Sequence, residues 1–169
     1  IGNDKTVTLF LANFTKRIVA TATDAAGNTS EFAERLPLKL RVNDTVAGGN
    51  NDGTTWEDAF HDLQDALNVF REGDEIWVAE GTYYPTSGTN RTISFDLPVG
   101  TQLYGGFPES STGEGSFADR DGSATVLSGD IGAIGDNSDN SFHILSINAV
   151  SDIILDGFIL KEGQADGIA

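Results

Sequence analysis

The sequence predicts a mostly β chain in which short strands stack as a parallel β-solenoid behind a single amphipathic helix. Twenty glycines, scattered among Asn, Asp, Ser and Thr, indicate many turns. Only one segment has helical periodicity. After it, short apolar runs recur between turns with no helical pattern separating them, which argues against strand–helix–strand units and favours coils that stack on one another.

Three strands are predicted before the helix. KTVTLFLA (5–12) and RIVATAT (17–23) alternate apolar and polar residues, and LPLKLRV (36–42) follows a turn in DAAGNTS. Pro37 in the third strand indicates an edge position, because proline cannot donate to a sheet ladder. Three such strands make a thin sheet that needs a partner layer.

The polar, glycine-rich stretch NDTVAGGNNDG (43–53) predicts a linker. The helix is predicted over residues 54–72. Thr54 and Glu57 have the spacing of a capping box, and Arg71 and Gly73 are stop signals. One apolar stripe runs through the helix at i, i+3, i+4 spacing: Trp56, Ala59, Phe60, Leu63, Ala66, Leu67 and Phe70.

Coils of the solenoid are predicted from residue 74 onward. The apolar runs are EIWVAEGTYY, TISFDL, TQLYGGF, TVLSGDI, FHILSI and IILDGFIL. If Trp77, Leu103, Val126 and Ile154 are corresponding points, they lie 26, 23 and 28 residues apart. A solenoid must cover its first coil, and an amphipathic helix placed before the first strand is the expected cover.

Two resemblances sharpen this interpretation. IVATATDAAGNTSEF resembles the last strand and exit of bacterial immunoglobulin-like modules, over roughly residues 5–35. WEDAFHDLQDAL, GDEIWVAEGTYYPT, QLYGGFPESS, TVLSGDIG and ILDGFILKEGQADG resemble right-handed parallel β-helix proteins of bacterial surfaces, over residues 41–169. The first implies that residues 1–42 are the end of an immunoglobulin-like module or a β-strand lead-in. The second implies a cap and first coils over residues 54–169, with a secreted or cell-surface, adhesin-like role.

Composition excludes several partners. Twenty-six acids against ten bases give a net charge of −16, which argues against nucleic acid and anionic lipid surfaces. No run of eighteen apolar residues predicts membrane insertion. The absence of cysteine excludes a disulfide framework. Because the chain lacks an initiator Met and a signal pattern, we expect a fragment or processed product of a longer protein.

Two acidic stretches are candidate metal sites. In GGNNDG, the calcium register of an EF-hand would place Gly48 and Ala59 at positions that need acids, so this stretch favours a linker. SGDIGAIGDNSDNSF holds Asp130, Asp136 and Asp139, hard oxygen ligands that could bind Ca²⁺. The alternative is that Asp and Asn occupy turns there because they bond their own backbone. No other cofactor is predicted.

Aromatic side chains provide a candidate ligand surface. Trp77 and Tyr104 are the predicted ligand-binding residues. Trp77 lies between Ile76 and Val78 in a strand, so it points away from them. If those two face the core, Trp77 is exposed to a glycan unless another segment covers it.

No catalytic residue is predicted. His61 and His143, the two histidines, are expected at the surface. The predicted function is therefore a non-enzymatic structural or adhesive β-helix module, with polysaccharide, a surface protein, or further coils or subunits of the same assembly as partners. The alternative is the N-terminal part of a β-helix polysaccharide lyase or glycoside hydrolase, for which Lys161 or Arg120 would be candidate bases.

Overall fold

The computed structural model describes residues 25–27, 36–147 and 152–165 of the 169-residue chain. The chain divides into two compact units, Ile1–Leu36 and Pro37–Ala169. The strands predicted at 5–12 and 17–23, and most of the immunoglobulin-like phrase, lie outside the described residues. The architecture that follows is that of the second unit.

The described part of this unit is mostly β, as predicted. Its strands are short, and its one α-helix is accompanied by two single turns of 3-10 helix. In chain order the elements are β1 (Lys39–Val42), α1 (Leu63–Val69), β2 (Glu75–Ala79), β3 (Gly81–Tyr83), β4 (Phe95–Leu97), β5 (Gln102–Phe107), the 3-10 turn Phe117–Asp119, β6 (Thr125–Ser128), the 3-10 turn Asn137–Asp139, β7 (Leu145–Ile147), β8 (Ile154–Asp156) and β9 (Phe158–Lys161).

The strands form three sheets in which every pairing is parallel. Sheet I has the order β1-β2-β5-β8, sheet II the order β3-β6-β9, and sheet III contains β4 and β7. From β2 onward the chain therefore contributes one strand each to sheets I, II and III (β2, β3 and β4). It does so again with β5, β6 and β7. It then adds β8 to sheet I and β9 to sheet II. Each strand pairs with the strand that occupies the same place in the preceding round, and we call one such round a rung.

The register corrects the predicted repeat. Trp77 and Tyr104 are partners in sheet I, whereas Val126 belongs to sheet II, where it pairs with Thr82 and Ile159. Val126 is thus not the counterpart of Trp77. The sequence spacing misled because one rung contains up to three strands joined by loops of unequal length, so apolar runs from different sheets look like successive repeats.

The main core lies on the inner side of the three sheets. A ladder of aligned residues from all four strands of sheet I, Leu40, Ile76, Leu103 and Leu155, packs into it. From α1, Leu63, Ala66 and Leu67 pack into the same cluster. The helix contacts β1 and β4. Burial in this core removes the peptide groups of the strands from water. Backbone pairing within the sheets satisfies those groups, so the apolar interior leaves them without a large penalty.

The helix is shorter than predicted, at Leu63–Val69 instead of residues 54–72. Its N-cap is Asp62, whose carboxylate accepts a hydrogen bond from the Gln64 N–H at 2.8 Å. The predicted capping box is wrong, because Thr54 donates its N–H and hydroxyl to Asp52, at 3.0 and 2.7 Å. Short polar side chains that bond nearby backbone compete with helix formation, so residues 54–61 form turns and bends instead. The apolar residues predicted for the stripe are nevertheless all buried.

The segment predicted as a linker is fastened at both ends. Asn43 is buried, its N–H donates to the Phe60 carbonyl at 2.8 Å, and its amide donates to the Glu109 carbonyl at 3.1 Å. At the other end, the Gly53 carbonyl accepts the Arg41 N–H at 3.0 Å. The strand predicted at 36–42 is present as β1, but it pairs with β2 in sheet I. The division between the two units consequently falls at Leu36 and Pro37 and not at residue 42.

Candidate functional site

The outer face of sheet I carries two ladders of aligned side chains. One consists of Arg41, Trp77, Tyr104 and Asp156, and the other of Lys39, Glu75, Gln102 and Ile154. Alternation along each strand places these side chains opposite the inner core ladder. Polar, charged and aromatic groups thus repeat from one strand to the next on a single surface, which we call the outer face.

Trp77 does not form the exposed part of this face. Its orientation away from Ile76 and Val78 is as predicted, but its ring is completely buried because other segments cover it, and ligand binding by Trp77 stays a prediction. Its ring stacks on Phe107 with centroids 4.9 Å apart, and its indole N–H donates to the Glu75 carboxylate at 2.8 Å. The Lys39 ammonium lies 4.8 Å from the ring centroid. The Trp77 ring lies beneath the exposed side chains of the outer face and belongs to a second core cluster.

That second cluster is built from residues far apart in the chain. Trp56, from the turns before α1, lies 5.3 Å from the Phe107 ring and shares the cluster with Trp77. Phe117, on the first 3-10 turn, approaches Trp77 edge-on at 5.9 Å. Ser116 and Asp119 cap this turn reciprocally, which fixes the position of Phe117. The turns before α1, the end of β5 and the loop after β5 therefore contribute the aromatic side chains of this cluster.

Tyr104 is the predicted ligand residue that remains at the surface. It is half-buried, and Phe117 meets its ring edge-on at 5.0 Å. Its hydroxyl donates to the side-chain carbonyl of Gln102 at 3.3 Å. Partial burial, followed by the nearby carboxylates of Glu75 and Asp156, raises the pKa of the Tyr104 phenol, so the hydroxyl stays protonated and can donate. The ring and its polar neighbours form one compact patch.

Arg120 joins this patch to the next rung. Its Nε donates to the Gly105 carbonyl at 2.7 Å, and its Nη1 lies 2.8 Å from an Asp156 carboxylate oxygen. The guanidinium also lies 5.0 Å from the Phe117 ring centroid and 5.8 Å from that of Tyr104. Hydrogen bonds and contacts with three aromatic rings, the third being Phe107 at 5.9 Å, therefore hold the Arg120 side chain in place. The predicted alternative role as a catalytic base has no support from this geometry, because a guanidinium bound to a carboxylate does not release its proton.

Two shallow grooves adjoin Arg120. The first, of about 540 Å³, is lined by Arg120, Gly106, Thr125, Gly157 and Phe158. The second, of about 430 Å³, is lined by Glu80, Glu109, Asp121, Pro108 and Ser110. Ser123 lines both, so the grooves share a wall. The first combines apolar side chains and glycine backbone with one cation, and the second is acidic.

The predicted calcium ligands lie in one loop, but each is engaged locally. The Asp130 carboxylate accepts the Gly135 N–H at 2.9 and 3.0 Å, and Asp139 accepts the Ala133 N–H at 2.8 Å. Asp136 accepts from the hydroxyl and N–H of Ser138, which lower the pKa of its carboxyl. Over the ranges that the structure describes, no group of three or more Asp, Glu, His or Cys side chains is arranged to hold an ion. Calcium at this loop stays a prediction, and the contacts are those of the turn alternative.

Both histidines are exposed, as predicted, and Lys161 pairs with its neighbour Glu162 at 3.5 Å. A residue of this patch that the sequence analysis missed is Phe117. It is an isolated aromatic residue in the polar stretch STGEGSFADR, and a large apolar side chain between turn residues is the signal that could have identified it. Gln102 was also missed, since a polar residue at the start of a strand has no distinguishing pattern.

Comparison with protein families, with curated proteins and with solved structures finds no match to this chain. In the part of the chain that the structure describes, no helix is both long and apolar enough to cross a bilayer.

Proposed function

We propose that this chain is a non-enzymatic module of a bacterial extracellular or cell-surface protein, built as a right-handed parallel β-helix, which binds polysaccharide on the outer face. Three parallel sheets visited in the same order in successive rungs support the β-helix. The right-handed sense follows from the strong preference of connections between parallel strands for that hand. The resemblance of residues 41–169 to bacterial surface proteins supports the location.

The observation that carries the binding proposal is the pair of ladders on the outer face. Aligned side chains in adjacent strands repeat every 4.8 Å or so, which is comparable to the length of one pyranose unit. An extended polypeptide repeats only every two residues, roughly 6.6 Å, and does not match this spacing. A polysaccharide running across the strands could therefore place successive sugars against successive rungs.

The chemistry of the outer face suits sugars. Tyr104 and the 45% exposed Phe117 provide ring surfaces on which the apolar face of a sugar can stack. Lys39, Glu75 and Gln102 supply ammonium, carboxylate and amide groups for hydroxyls. On this face Lys39 and Arg41 balance Glu75 and Asp156, so it carries no net charge in a chain of net charge −16. It does not repel a polysaccharide that carries occasional acidic groups.

A glycan array tests this proposal. We expect the wild-type protein to bind a subset of linear polysaccharides, and Tyr104→Ala and Phe117→Ala each to weaken that binding at least tenfold. Ile134→Ala is the matched control, since Ile134 is 71% exposed and lies in the loop after β6. Binding that survives both aromatic substitutions, or none to any linear polysaccharide, would exclude the outer face as a polysaccharide site.

The acidic groove favours a second candidate, glycoside hydrolysis. Hydrolysis requires two carboxyl groups flanking one sugar linkage, and Glu80, Glu109 and Asp121 line this groove. Hydrogen bonds from Ser123 lower the pKa of Asp121, so its carboxylate stays ionised at neutral pH. Release of reducing ends from a bound polysaccharide, lost in Glu109→Gln and Asp121→Asn, would establish this activity in place of simple binding.

A further inference from the structure

Two aromatic rings at the outer face meet almost at a right angle. The half-buried Tyr104 and the 45% exposed Phe117 have ring centroids 5.0 Å apart and planes inclined by 88°. We call this pair the aromatic corner. Because Tyr104 belongs to β5, the neighbouring strands of sheet I are β2 on one side and β8 on the other. A polysaccharide that crosses the strands with one sugar at the corner therefore has its next sugars over β2 and β8.

A carboxylate lies on each side of the aromatic corner. In register, Tyr104 is aligned with Trp77 of β2 and with Asp156 of β8. Trp77 is buried, so the polar group that β2 presents here is the half-buried Glu75 carboxylate, which accepts the indole N–H of Trp77 at 2.8 Å. On the other side the Asp156 side chain is 55% exposed. A ligand centred on the corner is thus flanked by acids.

The two carboxylates differ in how far their charge is compensated. Asp156 forms an ion pair with Arg120, whose Nη1 lies 2.8 Å from a carboxylate oxygen. In the part of the chain that the structure describes, Glu75 forms no ion pair. Its aligned neighbour in β1 is Lys39, whose ammonium lies over the Trp77 ring. The charge of Glu75 is therefore the less compensated of the two.

The Tyr104 hydroxyl senses the electrostatic potential at the aromatic corner. Partial burial, then the negative charge of Glu75 and that of Asp156, raise the pKa of this phenol, and the opposing effect of Arg120 is smaller. The fixed charges around the hydroxyl thus disfavour a negative charge there despite the nearby guanidinium. A ligand carboxylate seated at the corner would meet the same repulsion as a phenolate.

The cations of the outer face are poorly placed to offset this repulsion. Arg41 is buried and its guanidinium donates to backbone carbonyls, while Arg120 is held by Asp156. Of the cations described at this face, Lys39 is the one with an exposed side chain and no ion pair. It lies on β1, two strands away from Tyr104.

We propose that the outer face selects neutral polysaccharides over those with an acidic group on every sugar, and that Glu75 is the specificity-determining residue. This selectivity rests on the proposed function, polysaccharide binding at the same surface. A chain that is acidic at every unit must place one carboxylate at the corner and another beside Glu75, whereas occasional acidic groups can lie elsewhere. The net charge of −16 adds a screened repulsion of any approaching polyanion.

Matched neutral and acidic ligands test this selectivity. The probes are linear β-linked glucan and mannan oligosaccharides, each compared with the same oligosaccharide after its primary hydroxyls have been oxidised to carboxylates. Isothermal titration of the wild-type protein at low salt should show the oxidised form binding about tenfold more weakly than its neutral parent. The difference should shrink as added salt screens the charges.

Glu75→Gln isolates the specificity-determining residue. The amide oxygen can still accept the Trp77 indole N–H, but it accepts a sugar hydroxyl less strongly than a carboxylate does. We therefore expect weaker binding of the neutral form and about fivefold tighter binding of the oxidised form, whose carboxylate no longer meets a negative charge. The matched control is Asp65→Asn, which removes one charge from an exposed side chain of α1 and should change neither affinity.

Two outcomes would overturn the selectivity and leave polysaccharide binding intact. The first is an oxidised oligosaccharide that binds wild-type protein as tightly as its neutral parent. The second is a Glu75→Gln variant in which the two affinities change in the same direction, as a purely structural role of Glu75 would produce. If neither form of any oligosaccharide binds the wild-type protein, the proposed function itself fails, so the two failures are distinguishable.

Discussion

The indole of Trp77 stacks on the ring of Phe107, with centroids 4.9 Å apart and ring planes inclined by only 15°. Trp77 belongs to β2, and Phe107 is the last residue of β5. The register between these two strands shifts after Trp77. The contact lies on the outer face of sheet I, the side away from the main core. A second apolar cluster therefore holds the loops near β5 against the sheet. The half-buried Tyr104 side chain packs against this cluster.

We predict that Trp77→Ala lowers the free energy of unfolding by about 3–5 kcal/mol, since it leaves a large cavity in a dry cluster. Phe117→Ala should cost less, because Phe117 is already 45% exposed. Urea denaturation followed by tryptophan fluorescence measures both variants, with Trp56 as the remaining fluorophore in Trp77→Ala. Equal losses would show that Trp77 lacks the packed environment described.

Local patterns predicted the strands well because alternation depends only on neighbouring residues. The inward direction of Ile76 and Val78, and the outward direction of Trp77 between them, could be predicted from the sequence. The burial of Trp77 by other segments could not be predicted from the sequence. The rings that cover it come from Phe107 and Phe117, and nothing in the sequence fixes which face a distant loop folds over.

The helix and the repeat show two further limits. Trp56 and Phe60 have helical spacing and are buried, but they enter different clusters from a series of turns. Burial was thus predicted correctly while the backbone was not, because Asp52 and Asp58 bond backbone and hydroxyl groups nearby. The repeat was misjudged at Val126, since apolar runs alone do not distinguish three sheets from one.

Adjacent glycines in the segment 43–53 allow a paired test of its packing. Gly48 and Gly49 both have positive φ, at 92° and 79°. A Cβ on Gly48 would meet nothing within 4 Å, whereas one on Gly49 would lie 2.0 Å from the Glu57 carbonyl oxygen. We predict that Gly48→Ala costs about 1 kcal/mol of stability from its backbone conformation alone. Gly49→Ala should cost clearly more, since the backbone of residue 57 must move. Thermal denaturation distinguishes them, and equal shifts would mean that this segment is a free linker.

Arg120 should not tolerate replacement by lysine. Its guanidinium binds the Gly105 carbonyl and Asp156 through separate nitrogens, and lysine has only one. We predict that Arg120→Ala and Arg120→Lys destabilise the fold by similar amounts, about 2 kcal/mol, which is typical of hydrogen bonds that involve a charged group. Asp156→Asn should have a much smaller effect, because the Asp156 side chain is 55% exposed. Chemical denaturation of the three variants tests this order, and full rescue by lysine would contradict it.

The pairing with Arg120 also has a pH dependence. A hydrogen bond from Arg120, followed by its positive charge, lowers the pKa of Asp156 in the folded protein. The folded state therefore binds the Asp156 proton less readily than the unfolded state. The stabilisation that Asp156 contributes is present above its unfolded pKa of about 3.9 and is lost as the pH falls through the lower folded value. Wild-type protein and Asp156→Asn should thus converge in stability at acidic pH, as measured by urea midpoints, and a constant difference down to about pH 2 would contradict the assignment.

Alkaline pH should destabilise the protein through Tyr83. Its side chain is 3% exposed, and its hydroxyl donates to the Ala79 carbonyl at 3.2 Å. Burial, followed by the negative charge of Asp44, raises the pKa of this phenol well above its ordinary value near 10. Above that pH the unfolded chain loses the Tyr83 proton while the folded chain retains it. Stability should therefore fall as the pH rises, by up to about 1.4 kcal/mol per pH unit from this residue.

Tyr83→Phe isolates that contribution. The variant should remain nearly as stable as wild type at pH 7, because the Ala79 carbonyl also accepts the Thr125 hydroxyl at 3.1 Å and so keeps a partner. Between about pH 10 and 12 its stability should fall less steeply than that of wild type, since there is no buried phenol whose proton the unfolded state can release. Tyr104→Phe is the matched control: the pKa of Tyr104 is also raised, but its half-buried ring is far less desolvated than that of Tyr83. Urea midpoints across this range provide the measurement. Parallel curves for wild type and Tyr83→Phe would show that the phenol of Tyr83 ionises in the folded protein as readily as in the unfolded chain.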